Sequence, residues 1–368
     1  MSTKTDRFTK LDKKFMNIAI KLASTKHGLT GNNPAVGCVI VKDNQIISIG
    51  STNENGRPHA ERNAINSSIE DLENAKMYIT LEPCSHYGKS PPCTNIIIKN
   101  KIKEVIYGID DIDKKVNGKS RKILNKHNII VKKNLLSKKI RELYKPYYKN
   151  RLKKLPYVTG KIAKTKNDLI YSDYFKKITN KETDKFTHYL RYKNDSILIS
   201  SKTLNIDNPK LNCRLKGYER YSPIRVILDK DLDIDRKSYI FKNAKHFKTL
   251  IYFNSSDKQK IRFLKKNHLK LIKSKIDRYN QLDLKFILKN LYKNGCRNLL
   301  VEGGNILTNS FLKEKLIDRF YLIENKKNVK FKKNSVFFKD YLKKLSKFKF
   351  KTKLTNLSDK DKIILYKN

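Results

Sequence analysis

The residues best suited to metal chemistry lie in three short segments of the first hundred positions. They are His59 and Glu61 in the run Pro-His-Ala-Glu, Cys84 after a proline, and Cys93 after two prolines. One imidazole and two thiols suit zinc, and three protein ligands leave the fourth position of a tetrahedral site open. Zinc in such an open site lowers the pKa of its bound water to about 7. Glu61 would then relay a proton to the leaving group.

Two other interpretations of these four residues do not involve catalysis. The histidine could be incidental and the cysteines could belong to a core, or the metal site could be purely structural. A structural zinc site is usually closed by a fourth His or Cys. The order of imidazole, carboxylate, thiol and thiol is instead the order found in zinc deaminases. We therefore predict hydrolytic deamination, with His59, Cys84 and Cys93 as metal ligands and Glu61 as the catalytic residue.

The segment that joins the two cysteines is more specific. Residues 81–93 read Leu-Glu-Pro-Cys-Ser-His-Tyr-Gly-Lys-Ser-Pro-Pro-Cys, with eight residues between the cysteines. Deaminases of tRNA adenosine or free nucleosides typically have two. This segment resembles the signature of the bifunctional deaminase/reductase family of riboflavin biosynthesis. The resemblance implies that His86 and Lys89 contact a ribose phosphate, and that Asn33 in an Asn-Pro-x-Val-Gly segment reads a pyrimidine. The alternative for His86 is an ordinary hydrogen-bonded loop histidine.

The second half of the chain lacks a Gly-x-Gly-x-x-Gly fingerprint, so a conventional dinucleotide-binding domain is not indicated. Residues 301–305 (Val-Glu-Gly-Gly-Asn) and 200–214 resemble the reductase domain of the same family, which is similar in fold to dihydrofolate reductase. The resemblance implies that NADPH is held by Ala163, Thr203, Asp207, Gly304, Asn305, Ile306, Leu307, Thr308, Asn309 and Ser310. It implies that the phosphoribosyl substrate faces Lys161, Arg191, Leu211, Arg214 and Glu302.

These reductase roles agree with the chemistry of the side chains. An arginine can hold a phosphate through two hydrogen bonds, and a carboxylate such as Glu302 can orient ribose hydroxyls. For Arg191 the alternative is a solvated charge on a helix. Two positions depart from the family: residues 165–168 read Thr-Lys-Asn-Asp where Ser-Leu-Asp-Gly is usual, and Lys177 replaces an aromatic residue. These departures leave open a monofunctional deaminase with a degenerate reductase half.

Two α/β domains are expected to position these residues. A chain of 368 residues exceeds the size at which one core keeps growing. We predict a cytidine-deaminase-like three-layer domain over residues 1–150 and a dihydrofolate-reductase-like domain over 151–368. A polar connector over 140–155, with Pro146 and Pro156, separates them.

The hydrophobic pattern predicts alternating helices and strands in both domains. In the first, helices are expected at 11–25, 59–69 and 93–100, and strands at 35–41, 45–50, 77–82 and 104–109. In the second, helices are expected at 181–193, 258–267, 282–294 and 306–316, and strands at 157–163, 196–201, 224–229, 249–254 and 298–303. Thr179 and Glu182 form a candidate capping box, and residues 348–354 and 362–366 a candidate hairpin.

The net charge of +48 raises nucleic acid as a partner. However, only 15 of the 83 basic residues are arginine, and the lysines are spread along the whole chain. A general drift toward lysine explains this pattern better than a binding patch, so a nucleic-acid base deaminase is the third hypothesis. Neither a signal peptide nor a membrane span is evident, and five irregularly spaced cysteines do not suggest disulfides. We expect a cytoplasmic homo-oligomer that acts on a small phosphoribosyl pyrimidine.

Overall fold

Two layered α/β units, Met1–Lys153 and Lys154–Asn368, make up the chain in the computed structural model. The structure describes residues 8–171, 178–329, 335–338, 341–354 and 361–368. Within these ranges, no helix is both long enough and apolar enough to cross a bilayer.

The first unit is built on a five-stranded mixed sheet. Its strands are β1 Gly37–Lys42, β2 Gln45–Ser51, β3 Lys76–Ile79, β4 Glu104–Tyr107 and β5 Ile130–Lys133, in the order β2-β1-β3-β4-β5. Its helices are α1 Lys10–Lys26, α2 Ala60–Asn66, α3 Cys93–Lys99, α4 Lys119–Lys126 and α5 Ser137–Tyr148. Strands β3, β4 and β5 are parallel, and β1 is antiparallel to both of its neighbours. All but the last residue of β1 are buried, so both faces of the sheet are covered.

Helix α1 is fixed at its start and packs closely on the sheet. Thr9 and Asp12 form a capping box, and Asp12 also accepts a hydrogen bond from the Tyr78 hydroxyl at 2.7 Å. The helix approaches β1 so closely that a Cβ on Gly37 would lie 1.9 Å from the carbonyl oxygen of Ala19. This close approach requires glycine.

Gly37→Ala is therefore expected to destabilise the first unit by about 1–3 kcal/mol, because the backbone of α1 must move away from the sheet. Urea denaturation of the variant and the wild type would measure the change. Gly88→Ala is the matched control, since its added Cβ would meet nothing closer than 3.8 Å. Equal stability of the two variants would contradict the packing argument.

The segment predicted as a polar connector is helical. Helix α5 runs to Tyr148 with Pro146 inside it, and a π-helical turn follows over Lys149–Lys153. The prediction failed because tertiary contacts override the weak helical pattern: Ile140 and Tyr144 are buried in the core of the unit. Pro156 does precede a new strand.

The second unit is built on a nine-stranded sheet in the order β11-β10-β9-β8-β12-β6-β13-β16-β15. Its strands are β6 Tyr157–Lys164, β7 Leu169–Tyr171, β8 Ser196–Ser200, β9 Ile224–Leu228, β10 Thr249–Phe253, β11 Lys270–Lys273, β12 Asn298–Val301, β13 Arg319–Asn325, β14 Val336–Phe337, β15 Phe350–Leu354 and β16 Asp361–Lys367. Its helices are α6 Lys181–Tyr192, α7 Ser201–Asp207, α8 Tyr239–Lys242, α9 Lys258–Lys266, α10 Leu284–Lys293, α11 Asn305–Lys313 and α12 Leu342–Leu345. Strands β7 and β14 pair separately.

The pairing in this sheet changes from parallel to antiparallel at β13. The seven strands from β11 to β13 are parallel, and β16 and β15 form the predicted antiparallel hairpin. The predicted capping box is wrong: Asn180 caps α6 by accepting from the Thr183 amide, while Thr179 donates to Asp184. The carboxyl ends of the central parallel strands β8, β12 and β6 lie at one edge, which is where open α/β sheets bind ligands.

Candidate active sites

The three predicted metal ligands lie together in the first unit. His59 is the N-cap of α2, Cys93 is the first residue of α3, and Cys84 follows β3 by a short turn. The His59 Nδ1 atom lies 3.5 Å from the sulfur of Cys84 and 3.5 Å from that of Cys93. The Cys93 amide also donates to the Cys84 sulfur at 3.2 Å. The ligand atoms all lie within 4.8 Å of one another.

These distances fit a tetrahedral zinc ion. Bond lengths of about 2.3 Å to sulfur and about 2.0 Å to nitrogen, at a tetrahedral angle, place the two ligand atoms about 3.5 Å apart. The hydrogen bond with Cys93 lowers the pKa of the Cys84 thiol to about 4, so this ligand is readily available as a thiolate. The donor set therefore accepts zinc with little rearrangement.

Glu61 is buried beside this cluster in the first turn of α2, with only 3% of its surface exposed. Burial raises the pKa of its carboxyl group, and repulsion from the Cys84 thiolate raises it further. A carboxyl group whose pKa lies above the ordinary range both accepts and returns a proton more easily near neutral pH. This placement suits proton transfer at a group held by the cluster.

Cys93→Ala is expected to remove zinc from the protein, because two protein ligands hold the ion far less tightly than three. The wild type should contain about one zinc ion per chain by plasma mass spectrometry, and the variant almost none. Cys38→Ala is the matched control, since Cys38 is a buried free thiol outside the cluster. Full zinc content in the Cys93 variant would contradict this ligand assignment.

A cleft opens over the cluster and is lined entirely by residues of the first unit. Of the residues predicted to bind substrate, Asn33 and His86 line it, and Asn33 donates to the Gly56 carbonyl at 2.8 Å. Lys89 is exposed and is not among the lining residues. The lining also includes residues that the sequence analysis missed: Arg57, Ser90, Asp111, Asp113, Tyr147 and Arg151.

One wall of the cleft is held in place by Glu82. Its buried carboxylate accepts hydrogen bonds from the amides of Asp111 at 3.2 Å, Gly118 at 3.0 Å and Ser120 at 3.3 Å. Glu82 comes two residues before Cys84, so the segment that follows β3 positions both this metal ligand and the 110–118 segment. These hydrogen bonds give the 110–118 segment a defined conformation.

The second site lies at the carboxyl ends of the central strands of the second unit. The Arg191 guanidinium donates to both carboxylate oxygens of Glu302, at 2.9 and 3.0 Å, and the two side chains are only 10% and 11% exposed. Burial alone would raise the pKa of Glu302, but attraction by Arg191 and then Lys161 lowers it to about 2. Burial lowers the pKa of Lys161. The structure therefore brings three of the predicted substrate residues together.

The predicted residues Leu211 and Arg214 lie on a loop that the same cluster supports. Arg191 donates to the Asn212 carbonyl at 3.2 Å, and the Arg214 amide donates to the Nδ1 atom of His188 at 3.2 Å. Burial, followed by the nearby Arg191 and Arg214, lowers the pKa of His188 to about 4. His188 is neutral in this arrangement and was missed in the sequence analysis. Only its position three residues before Arg191, on the same helical face, could have suggested it.

The predicted cofactor residues surround the start of α11. Gly304 is the N-cap of this helix, and a Cβ on it would lie 3.3 Å from the Thr203 hydroxyl. Ala163 is half-buried on β6, and Asp207 is exposed at the end of α7. In the stretch predicted to hold NADPH, Leu307 and Thr308 are buried, whereas Gly304, Asn305, Ile306, Asn309 and Ser310 are at least partly exposed.

The unusual turn over residues 165–168 is well formed. Asp168 has a φ of 63°, a conformation that explains why glycine is usual at this position. Its carboxylate pairs at 2.8 Å with the buried Lys164, which also contacts Glu324 at 2.6 Å. The aspartate is therefore accommodated by a local ion pair. The second departure, Lys177, lies outside the described residues.

Comparison with known proteins finds a matching family model for each half of the chain. Residues 9–109 match the cytidine and deoxycytidylate deaminase zinc-binding region, and residues 169–325 match the RibD C-terminal domain. The chain is 33% identical to riboflavin biosynthesis protein RibD of Aquifex aeolicus over 84% of this chain and 85% of that protein. It is also 33% identical to RibD of Buchnera aphidicola subsp. Baizongia pistaciae over 96% and 98%.

Solved structures agree with these relatives. A crystal structure from Thermotoga maritima, described as a diaminohydroxyphosphoribosylaminopyrimidine deaminase/5-amino-6-(5-phosphoribosylamino)uracil reductase, matches with a TM-score of 0.81 and 32% identity, covering 97% of this chain and 98% of that one. RibD of Acinetobacter baumannii matches with a TM-score of 0.78 and 26% identity, covering 97% and 99%.

The fold and the sites define a class of protein: a zinc-dependent deaminase fused to a reductase of the RibD type. The chain belongs to the RibD family of riboflavin biosynthesis proteins. It is a bifunctional enzyme of riboflavin biosynthesis that uses zinc for deamination and NADPH for reduction.

Proposed function

We propose that residues 1–150 deaminate 2,5-diamino-6-(5-phosphoribosylamino)pyrimidin-4-one. Residues 151–368 then reduce the ribose of the resulting 5-amino-6-(5-phosphoribosylamino)uracil to ribitol. The observation that carries the proposal is the convergence of His59, Cys84 and Cys93 on one point beside the buried Glu61. The Thermotoga maritima structure, named for these two activities, supports the choice of substrate.

In the deamination, water replaces the amino group on a ring carbon and ammonia leaves. Zinc bound by the three ligands would acidify the attacking water. Glu61 accepts the proton from this water and returns it to the departing nitrogen, and its raised pKa suits both transfers. The side-chain NH₂ group of Asn33 donates to the Gly56 carbonyl, so its side-chain carbonyl oxygen can accept a hydrogen bond from the pyrimidine.

In the reduction, NADPH held at the start of α11 would supply hydride to C1 of the opened ribose, with a proton taken up from water. The carboxylate of Glu302, held by Arg191, orients the ribose hydroxyls, and Lys161, Leu211 and Arg214 complete the substrate pocket. Thr203, Asp207, Ala163 and residues 304–310 hold the cofactor. The adjacency of Gly304 and Thr203 supports this division, because a glycine at a helix start allows a phosphate to approach the backbone.

We further propose a cytoplasmic homo-oligomer with small-molecule substrates. None of the five cysteines forms a disulfide, as expected in a reducing compartment. The positive charge is spread over many lysines, which does not favour a nucleic-acid partner.

Product analysis by mass spectrometry tests the proposal. The zinc-loaded protein is incubated with the diaminopyrimidine substrate, first alone and then with NADPH. We expect the aminouracil in the first reaction and the ribityl product in the second. Accumulation of the aminouracil with NADPH present would favour the second candidate, a deaminase with a degenerate reductase half, which the departure at Asp168 motivates. Unchanged substrate, with zinc bound, would overturn the proposed substrate.

A further inference from the structure

We propose that Arg57 selects phosphorylated substrates in the deaminase cleft by binding the phosphate group directly. This inference rests on the proposed function, since it concerns the same cleft and the same phosphoribosyl substrate. Arg57 lies two residues before the metal ligand His59 and lines the cleft above the metal cluster.

The charged groups of the cleft are paired, with the exception of Arg57 among the described arginines. The other charged groups at the rim have partners: Arg151 pairs with Asp113 at 3.2 Å, and Asp111 accepts from the Tyr147 hydroxyl at 3.0 Å. The Glu82 carboxylate is engaged by backbone amides. Among the residues that the structure describes, no carboxylate lies within ion-pair distance of Arg57. Of the two arginines in the described lining, Arg57 is therefore the one whose positive charge remains available for an anionic ligand.

The guanidinium group of Arg57 lies beside the loop between Cys84 and Cys93. Its Nη1 atom donates to the Ser90 hydroxyl, and a Cβ on Gly88 would lie 3.8 Å from Nη2 and 4.0 Å from the Nε2 atom of His86. Arg57 and His86 therefore flank the same glycine. One hydrogen bond leaves most of the five N–H donors of the guanidinium free, enough for a paired contact with a phosphate.

This loop also carries buried polar atoms that lack hydrogen-bond partners among the described residues. The Ser85 hydroxyl and the Nδ1 atom of His86 are buried, and neither has a hydrogen-bond partner among the described residues. Buried polar atoms without partners are unfavourable unless a ligand or water satisfies them. These unpaired polar atoms and the available charge of Arg57 together indicate a binding site for an anion. Lys89, in contrast, is exposed and outside the lining, so Arg57 is the better placed cation.

The test compares Arg57→Ala with the wild type on two substrates, the phosphoribosyl diaminopyrimidine and its dephosphorylated riboside. We expect the KM for the phosphorylated substrate to rise about 30-fold with little change in kcat, because a charged hydrogen-bonded contact is lost. The kcat/KM for the riboside should stay unchanged. Arg57→Lys should recover part of the lost affinity, since it restores the positive charge but not the planar guanidinium group with its paired donors.

Arg62→Ala is the matched control, an arginine on α2, the helix that begins just after Arg57, and it does not line the cleft; it should leave the turnover of both substrates unaffected. A second measurement does not depend on turnover. Calorimetry compares the binding of ribose 5-phosphate to the zinc-loaded wild type and to Arg57→Ala. Equal losses on both substrates would overturn the proposal by showing a structural role, and so would an unchanged KM. A wild type that deaminates neither substrate would instead refute the proposed function.

Discussion

Glu61→Gln is expected to lower kcat for deamination by about a thousandfold while KM changes little. The glutamine has nearly the same shape and remains buried beside the metal ligands, but it can no longer accept and return a proton. General acid–base catalysis by one residue contributes about 10²–10⁴-fold in rate, and the raised pKa of Glu61 suits the role proposed for it. The effect should fall on kcat because the lost proton transfer belongs to the chemical step.

Ammonia release at saturating substrate measures this effect, and zinc content must be determined in the same preparation. We expect the variant to keep about one zinc ion per chain, since Glu61 is not a ligand. Its NADPH oxidation, assayed with chemically prepared aminouracil, should equal that of the wild type because the second unit is untouched. Glu70→Gln, at an exposed position of the same unit, is the control. Retention of more than about a tenth of the wild-type kcat would contradict the assigned role.

Arg191→Met is expected to abolish the reductase activity and to destabilise the second unit by about 3–5 kcal/mol. Removing one partner of a buried ion pair is strongly destabilising, and here the charge left behind is the Glu302 carboxylate, which keeps only the weaker attraction of Lys161. The substitution also removes the hydrogen bond to the Asn212 carbonyl, which supports the loop of Leu211 and Arg214. Both the carboxylate and the loop are therefore misplaced.

Thermal unfolding and NADPH oxidation measure the two effects separately. The double variant Arg191→Met, Glu302→Leu should recover much of the stability but none of the activity. The unpaired carboxylate is then gone, and Lys161, whose pKa burial already lowers, can lose its proton. Arg262→Met, at an exposed position of α9, is the control for the loss of a single arginine. If the double variant were as unstable as the single one, the buried carboxylate would not be the source of the destabilisation.

The ion pair between Arg191 and Glu302 also affects how the stability of the second unit depends on pH. The pKa of Glu302 is about 2 in the folded protein, below the value of about 4.3 for an unfolded chain. A carboxylate whose pKa is lowered by folding stabilises the protein above the unfolded pKa, and this contribution is lost as the pH falls toward 2. The Arg191→Met variant should therefore lose less stability than the wild type between about pH 4 and pH 2.

Much of the metal centre could be predicted from the sequence because its chemistry is local. His59 and Glu61 lie within one turn of each other, and prolines precede His59, Cys84 and Cys93, so side-chain type and spacing suffice to suggest the ligands. The helices and strands with clear periodicity were predicted near their observed positions for the same reason. Short-range steric and hydrogen-bonding rules act within contiguous residues.

The rest of each site depends on distant segments that meet only in the folded chain. Arg57, Asp111 and Tyr147 come from three separate segments of the chain, and none of them was part of a predicted site. His188 becomes a neutral acceptor for the Arg214 amide only because the loop folds back onto α6. Helix α5 was missed because burial of Ile140 and Tyr144 outweighs a proline and a polar composition. Such contacts depend on the packing of whole elements, which no local pattern of residues encodes.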